Sequence, residues 1–330
     1  MMNREYLQLA HNYDPKRHCI AGYHLSEKLD GMRAYWDGGI SRGKLCSMVS
    51  YANTAKDFRK REPPVATGLW SRYGKSIQAP DWWLDALPKN IPLDGELYMG
   101  RGKFQSLISC VKKDTPTADW SDVEYIVFDI PSDYYMFTPG KINNPNCKLN
   151  ITESTLLRIN PLKFYQLAPA LFNRKVEQND VWSLAKQIIL PMSTEMAEEV
   201  VHNEIDIITT CGGEGVMLRN PNSIWMPKRT HDLLKVKKYH DAEGVITGYT
   251  WGTGKLEGLM GSATVNWDGV IFDLSGFTDA ERELTHSVGE PGTNVSDDVI
   301  NNKFPRGMVI SFKYRELTDA GVPKEARYKR

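Results

Sequence analysis

The pattern of residues changes near His240, and this change constrains the fold more than any other feature of the chain. Beyond Asp241 the sequence holds short β-rich segments, GVITGYTW, GSATVNW, GVIFDLSG and GMVISFKY, each bounded by Gly, Asp or Pro. Short strands at this spacing predict a small barrel or sandwich. At about 100–200 residues per domain, a chain of 330 residues has room for two domains. We therefore predict one domain over residues 1–239 and a second over residues 240–330.

The first of these two regions mixes strand and helix patterns, as an α+β domain does. Residues 22–28 are predicted to form a strand, and residues 33–36 its hairpin partner, because Asp37-Gly38-Gly39 favours a turn. Two helices are expected between residues 176 and 209. In the second of them, apolar residues recur at helical spacing: Ala197, Val201, Ile205 and Ile208. Further strands are expected at 93–99, 125–130, 216–218 and 233–236, and long loops at 40–66 and 132–150.

Charge is distributed unevenly along the chain. The formal net charge is +0, so the chain lacks the overall basic excess of many nucleic-acid-binding proteins. Residues 240–300 are strongly acidic and residues 301–330 are basic, so the end of the chain can still contact phosphates locally. There is no apolar run long enough to span a membrane and no apolar core of a secretory signal. We expect a cytoplasmic protein without membrane contact.

The segment Ser26-Glu27-Lys28-Leu29-Asp30-Gly31-Met32-Arg33 is the first candidate for chemistry. A lysine is a useful nucleophile once neighbouring cations or loss of solvent favour its neutral form. Here a lysine at a strand end is followed by a turn-forming Asp-Gly and then by Arg33, so Lys28 and Arg33 can converge on one phosphate. The string KxDG is short and arises by chance, so it needs support from elsewhere in the chain.

That support comes from two carboxylates and two further lysines. Glu96 stands in Leu93-Asp94-Gly95-Glu96-Leu97, and Glu214 opens Glu214-Gly215-Val216-Met217. Carboxylate oxygens beside phosphates are the ligands that Mg²⁺ prefers. Lys235 and Lys237 alternate along a predicted strand, so both side chains point to one face. Each residue alone is most simply a surface group, but the combination favours phosphoryl-transfer chemistry.

Together these segments resemble the covalent nucleotidyltransferases, the family of DNA ligases, RNA ligases and mRNA capping enzymes. KLDGMR resembles motif I, DGE motif III, Phe128-Asp129 motif IIIa, EGVM motif IV and LKVK motif V, and they occur in the family's order. The longer strings SEKLDGMRAYWDG, LWSRYGKSIQAPDWW and PLDGELYMGRGKFQ resemble the minimal two-domain ATP-dependent DNA ligases in particular. The resemblance covers nearly the whole chain, although the closing basic segment matches motif VI only loosely.

The resemblance implies a fold and a set of roles. The fold is α+β: an adenylation domain of antiparallel sheets with flanking helices, followed by a small β-barrel OB domain. Lys28 would attack the α-phosphate of ATP and carry AMP, Phe128 would stack on adenine, and Glu214 would bind the metal. Glu96 would serve both nucleotide and metal. The other expected contacts to AMP or ATP are Glu27, Arg33, Lys235 and Lys237.

The expected polymer is nicked double-stranded DNA. The resemblance places Arg72 on the nucleotide or the nicked strand. Residues 40–66 form a basic stretch, longer than in similar ligases, in which Arg42 and Lys44 are candidate DNA contacts and Lys56, Arg59, Lys60 and Arg61 add charge. The same stretch can equally be a solvated insertion. The expected cofactors are ATP and Mg²⁺, with Mn²⁺ as a substitute, and the family implies a monomer without an obligate protein partner.

Two alternatives share some of these features. An RNA ligase or capping-type enzyme uses the same lysine chemistry on another polymer or base. A nucleic-acid-binding module with an inactive transferase domain would lack the chemistry altogether. The joint presence of Lys28, Glu96, Glu214, Lys235 and Lys237 disfavours the second alternative.

Overall fold

The computed structural model describes residues 7–54, 62–131, 164, 179–286, 289–315, 317–318 and 320–329. The chain divides into two units, Met1–Val236 and Lys237–Arg330. Both units are built mainly from β-sheet, and the predicted mixed α+β class is confirmed.

The first unit contains two five-stranded sheets. Their strands and helices are, in chain order, β1 (Leu9–Asn12), β2 (His24–Glu27), β3 (Met32–Trp36), β4 (Leu69–Ser71), α1 (Asp81–Asp85), β5 (Leu93–Tyr98), α2 (Phe104–Val111), β6 (Glu124–Asp129), β7 (Trp182–Leu184), β8 (Ile188–Ile189), α3 (Thr194–Thr210), β9 (Gly215–Arg219) and β10 (Arg229–Lys237). One sheet has the order β1-β10-β9-β2-β8 and the other the order β4-β3-β5-β6-β7. Both are mainly antiparallel, with parallel pairs at β1–β10 and β6–β7.

The predicted hairpin between residues 22–28 and 33–36 is wrong, although both strands exist. β2 pairs with β8 and β9, whereas β3 pairs with β4 and β5 in the other sheet. The Asp-Gly-Gly turn lies beyond the far end of β3, so it cannot connect the two strands. Residues 28–31 instead carry the chain from one sheet to the other. The sequence KLDG therefore sits at the crossing between the sheets.

Helix α3 confirms one of the two helices predicted between residues 176 and 209. Its apolar stripe is buried against the first sheet, and Ser193 caps its N-terminus by accepting a hydrogen bond from the Met196 N–H. The other predicted helix is wrong within residues 179–189, which form β7 and β8 instead. Trp182 is buried in the core of the second sheet, so tertiary packing overrides the local pattern. The predicted loop at 132–150 lies outside the described residues.

The second unit contains one five-stranded sheet. Its strands are β11 (His240–Trp251), β12 (Met260–Trp267), β13 (Val270–Leu274), β14 (Val309–Tyr314) and β15 (Arg327–Tyr328), in the order β13-β12-β11-β14-β15. Asp268 and Gly269 both have positive φ, of 48° and 85°, as the tight turn between β12 and β13 requires. Among the described residues, the predicted barrel is not closed by a continuous ladder: the edge strands β13 and β15 meet at one bridge, between Ser275, directly after β13, and Arg327.

Candidate active site

Lys28 lies directly after β2, where the chain leaves one sheet for the other. Its backbone N–H donates to the Gly215 carbonyl at 2.8 Å and extends the pairing of β2 with β9 by one residue. Four residues later, β3 begins at Met32 in the second sheet. The backbone of the predicted nucleophile is therefore fixed by a strand ladder, while its side chain lies at the crossing between sheets.

Glu214 contacts Lys28 directly. The Lys28 Nζ donates to Oε2 of Glu214 in an ion pair, in which the lysine side chain is 23% exposed and the glutamate side chain 4% exposed. Glu214 immediately precedes β9, the strand that pairs with β2, so the two sheet partners place the groups side by side. The predicted nucleophile and a predicted metal ligand thus meet within one sheet.

Glu96 joins this pair from the other sheet. It lies on β5, in register with Arg33 on β3. Burial raises the pKa of Glu96 to about 7, and the nearby Glu214 carboxylate adds to the increase, while Arg33 and Lys28 oppose it. Glu96 is therefore close enough to Lys28, Arg33 and Glu214 to interact electrostatically with all three. The structure brings these four predicted residues together.

Arg33 is held in place by Asp94, a residue to which the sequence motifs gave no role. Both oxygens of the Asp94 carboxylate accept from the Arg33 guanidinium at 2.6 Å, and Trp225 Nε1 donates to the same carboxylate at 2.9 Å. The guanidinium also lies 4.4 Å from the centre of the Phe128 ring. Asp94 thus fixes the orientation of Arg33 against Phe128. The position of Asp94 in the DGE motif was the sequence signal that could have identified it.

A buried ion pair connects the two sheets beside this cluster. Arg219 at the end of β9 and Asp129 at the end of β6 are 2.9 Å apart, and both side chains are nearly inaccessible. Ser223 accepts from Arg219 Nε at 2.8 Å. Sequence analysis missed this pair. Its position next to Phe128 suggests that it fixes the spacing of the sheets around the site.

Glu27, predicted to contact the nucleotide, is engaged by another residue that sequence analysis missed. Arg101 donates to its two carboxylate oxygens at 2.8 and 2.9 Å. Arg101 stands between Gly100 and Gly102, which both have positive φ, in the turn after β5. It reaches from the second sheet to the residue beside Lys28.

The two lysines of the LKVK segment have different surroundings. Lys235 on β10 is in register with Asn12 on β1, within the first sheet. Lys237 is the first residue of the second unit, where its Nζ donates to Glu325 at 2.8 Å. Glu325 has a φ of 53°, which is uncommon for a residue other than glycine.

The residues predicted to bind DNA contact different partners. Arg42 donates to Asp81 at 2.5 Å and to Asp85 at 2.7 Å. Arg72 donates to the Tyr73 hydroxyl at 2.6 Å and lies 4.7 Å from that ring's centre. Lys44 is exposed in a turn. The basic residues Lys56, Arg59, Lys60 and Arg61 lie outside the described residues.

Comparison with known proteins identifies similarity over the whole chain. The family model of the DNA ligase OB-like domain matches residues 251–330. A DNA ligase of Haemophilus influenzae is 27% identical over 324 residues, which cover 98% of this chain and 90% of that protein. DNA ligase 2 of Methanosarcina mazei is 33% identical over 150 residues, 45% of this chain and 24% of that protein.

Solved structures give the same result. A structure from a study of Lig E DNA ligases, described as binding DNA with a minimal scaffold, is 27% identical to this chain and has a TM-score of 0.68, with 98% of each chain covered. The predicted resemblance is therefore confirmed in sequence and in fold. Among the described residues, none of the helices combines the length and the apolar character needed to cross a membrane.

Proposed function

We propose that this chain, which belongs to the ATP-dependent DNA ligases, seals nicks in duplex DNA through an AMP group carried on Lys28. The observation that carries the proposal is the convergence of Lys28, Glu214 and Glu96 at the crossing between two sheets. A lysine so placed has an acidic partner that can orient it, and a second carboxylate within electrostatic range.

The reaction proceeds in three transfers. Nζ of Lys28 leaves Glu214, gives up a proton to solvent and attacks the α-phosphorus of ATP; a P–N bond forms, a second proton is released, and the bond to pyrophosphate breaks. The 5′-phosphate of the nick then attacks the AMP phosphorus, and Lys28 leaves as its amine regains these protons from solvent. Finally the 3′-hydroxyl attacks the 5′-phosphorus, gives its proton to solvent and releases AMP. Positioning and surrounding charge, rather than covalent participation by further residues, supply most of the catalysis in such transfers.

Two residues are proposed to shape the nucleotide pocket beside Lys28. Arg33, fixed by Asp94, would meet the ribose and phosphate end. Its guanidinium already lies over one face of Phe128, so adenine would stack on the remaining face of that ring. The further proposed contacts to the nucleotide are Glu27, Glu96, Lys235 and Lys237.

Mg²⁺ is the proposed metal, and the carboxylates present suit it. Glu214 and Glu96 offer the hard oxygen ligands that Mg²⁺ takes, and the phosphates of ATP and water would complete its coordination. Within the described residues no group of three or more His, Cys, Asp or Glu side chains is arranged to hold a metal without such help. A bound Mg²⁺ would neutralise charge on the phosphates. Mn²⁺ is expected to substitute for it.

Several proposals rest on the sequence and the family alone. These are the assignment of residues 1–239 to the adenylation domain and 240–330 to the OB domain, the monomeric state and the cytoplasmic setting. Arg72, Arg42 and Lys44 remain the proposed DNA contacts. Of these, Arg42 would have to leave Asp81 and Asp85 before it could bind a phosphate.

Formation of a covalent adduct is the test. The protein, first treated with pyrophosphate to remove AMP acquired during expression, is incubated with Mg²⁺ and separately with ATP, GTP or NAD⁺, and its intact mass is measured. A gain of one AMP from ATP is expected in the parent protein and in the exposed-surface control Lys89→Ala, but not in Lys28→Ala or with EDTA. A GMP adduct would move the protein to the capping enzymes.

The polymer is tested separately. Adenylated protein is mixed with nicked duplexes in which the strands at the nick are DNA or RNA. Sealing of the DNA nick is expected. Sealing confined to RNA strands would favour the RNA ligase alternative, and the absence of both adduct and sealing would favour a binding module.

A further inference from the structure

A cavity of about 450 Å³ opens on the surface of the first unit, at the sheet edge that β1 forms. The side chains lining it include His11, Arg17, His18 and His231, and we call it the histidine cavity. β1 and β2 are three strand steps apart in the sheet order β1-β10-β9-β2-β8. At ~4.8 Å per step, the cavity edge is about 14 Å from β2, the strand that Lys28 follows. The cavity thus lies away from Lys28, and its lining residue Asn12 is in register with Lys235.

The three imidazoles of the histidine cavity contact one another. The His11 and His231 rings are stacked, with centres 4.0 Å apart and planes inclined by 6°. His18 Nε2 lies 2.9 Å from His231 Nδ1, a distance that requires one proton between the two nitrogens. On its other side, His18 Nδ1 lies 3.0 Å from the Asp14 backbone nitrogen. The rings are therefore held in fixed orientations, and both nitrogens of His18 are engaged, one by Asp14 and one by His231.

Two guanidinium groups make this region positive. Arg17 lines the cavity, and Arg229 is close enough to His11 to influence its ionisation. Burial, followed by the neighbouring His231 and Arg229, lowers the pKa of His11. In the part of the chain that the structure describes, neither guanidinium forms an ion pair with a carboxylate, and Arg229 donates to the Ala10 carbonyl. An anion in the cavity would relieve this concentration of positive charge.

The surrounding acidic groups are few and already engaged. The Asp14 carboxylate accepts the backbone N–H of Lys16 at 3.0 Å. Asp232, beside His231 in the chain, accepts from Asn220 at 2.9 Å. Glu198 on α3 accepts the Tyr13 hydroxyl at 2.8 Å. These carboxylates accept hydrogen bonds from other donors, and among the described residues none of them forms an ion pair with Arg17 or Arg229.

We propose that the histidine cavity binds a phosphodiester group of the duplex DNA that this ligase holds, as a contact away from Lys28. The proposal rests on the proposed ligase function. Contacts to phosphates account for half to two-thirds of protein–DNA hydrogen bonds and fix the position of the protein on the duplex. A separation of about 14 Å corresponds to about four base pairs of a duplex, at about 3.4 Å of axial length per base pair.

The test measures equilibrium binding of nicked duplex by fluorescence anisotropy, in the Lys28→Ala background so that no chemistry intervenes. Arg17→Gln combined with Arg229→Gln is compared with Lys89→Gln combined with Lys112→Gln, two exposed lysines of the same unit. Both pairs remove the same charge. The arginine pair is expected to weaken binding on the order of tenfold and to reduce the slope of log Kobs against log salt by about one per lost phosphate contact. The lysine pair should have a much smaller effect.

His231→Ala tests whether the cavity itself, rather than the general positive charge of this surface, binds the DNA. The substitution removes the ring that contacts both His11 and His18. It is expected to weaken binding in the same direction. Equal affinity and salt slope for the arginine pair and its control would overturn the proposal, as would loss in the arginine pair with no loss in His231→Ala. Adduct formation and sealing at saturating DNA, measured with Lys28 intact, should persist in all variants; their absence in the parent would instead count against the ligase function itself.

Discussion

The Nζ atom of Lys28 is ion-paired with the Glu214 carboxylate, so the residue proposed to carry AMP rests against a residue proposed to bind metal. Neighbouring strands supply the two groups, because Lys28 follows β2 and Glu214 precedes β9. The pair holds the lysine at the crossing between the sheets, and the proposed nucleotide and metal would replace its partner.

Glu214→Gln should slow the adenylation of Lys28 roughly a hundredfold, the scale of losing one preorganised electrostatic contact. The amide keeps the shape of the side chain but cannot balance the charge of Lys28 or supply a strong metal ligand. Single-turnover formation of the AMP adduct measures the effect. Glu199→Gln, on the exposed face of α3, is the control and should react as the parent does. Equal rates for the two variants would mean that Glu214 takes no part in the adenylation of Lys28.

Asp94→Asn should destabilise the first unit by about 3–5 kcal/mol, because it leaves the Arg33 guanidinium without its buried partner. The Asp94 side chain is inaccessible and accepts three hydrogen bonds, two from Arg33 and one from Trp225. Urea unfolding followed by circular dichroism measures the change in the free energy of unfolding.

The matched comparison for Asp94 is Asp85→Asn. Asp85 also pairs with an arginine, Arg42, but its side chain is 56% exposed. Exposed pairs contribute about 0–1 kcal/mol, so this variant should unfold nearly as the parent does. A similar loss in both variants would mean that burial does not set the strength of the Arg33–Asp94 pair.

The stability of the metal-free protein should fall as the pH rises from about 4.5 to about 7. The pKa of Glu96 is raised to about 7 from an ordinary value of 4.5, chiefly by burial. Between these values the folded protein binds this proton more tightly than the unfolded chain does, so removing the proton costs stability. Asp129, whose pKa is also raised by burial, acts in the same direction.

Urea midpoints measured in EDTA at a series of pH values test this dependence. Glu96→Gln removes the titrating group and should flatten the curve between about pH 4.5 and 7, while Glu199→Gln should not. A parallel curve for Glu96→Gln and the parent would show that Glu96 titrates normally in the folded protein.

The sequence was sufficient to predict four residues that the structure brings together, Lys28, Arg33, Glu96 and Glu214, because each lies in a short motif on or beside a strand. It did not predict the residues that hold the site residues in place. Asp94 stands 61 positions from Arg33, and Arg219 pairs with Asp129 from a different sheet. Such pairs depend on which strands become neighbours, and local patterns do not contain that information. The same limit explains the wrong hairpin: β2 and β3 each carry a strand pattern, but nothing local assigns them to separate sheets.

The β11-β12-β13 part of the second unit was easier to predict because its pairing is local. β11 and β12 are sequential neighbours, and Asp268-Gly269 specifies the turn between β12 and β13. The edge strand β15 was harder to predict. It has only two residues, Arg327 and Tyr328, and a strand of that length leaves no periodic signal. The incomplete closure of the barrel therefore could not be read from the sequence.

Gly31→Ala should disable the site by displacing the segment that crosses from one sheet to the other. A Cβ atom at Gly31 would lie 2.6 Å from Glu96 Cγ and closer still to the Leu97 carbonyl oxygen, so the segment would have to move away from β5. Overpacking of this kind typically costs about 1–3 kcal/mol. Because Gly31 lies between Lys28 and Arg33, the displacement would also separate the nucleophile from Glu96. We expect loss of most AMP-adduct formation in a protein that still folds.

Gly248→Ala is the matched control for Gly31. Gly248 lies within β11, and an added Cβ there would meet Thr264 at 3.8 Å, an ordinary contact distance. This variant should keep the parent's rate of adenylation and its urea midpoint. Circular dichroism of Gly31→Ala distinguishes a misplaced lysine from an unfolded chain. Normal adduct formation by folded Gly31→Ala would mean that the close approach of this segment to β5 is not needed to position Lys28.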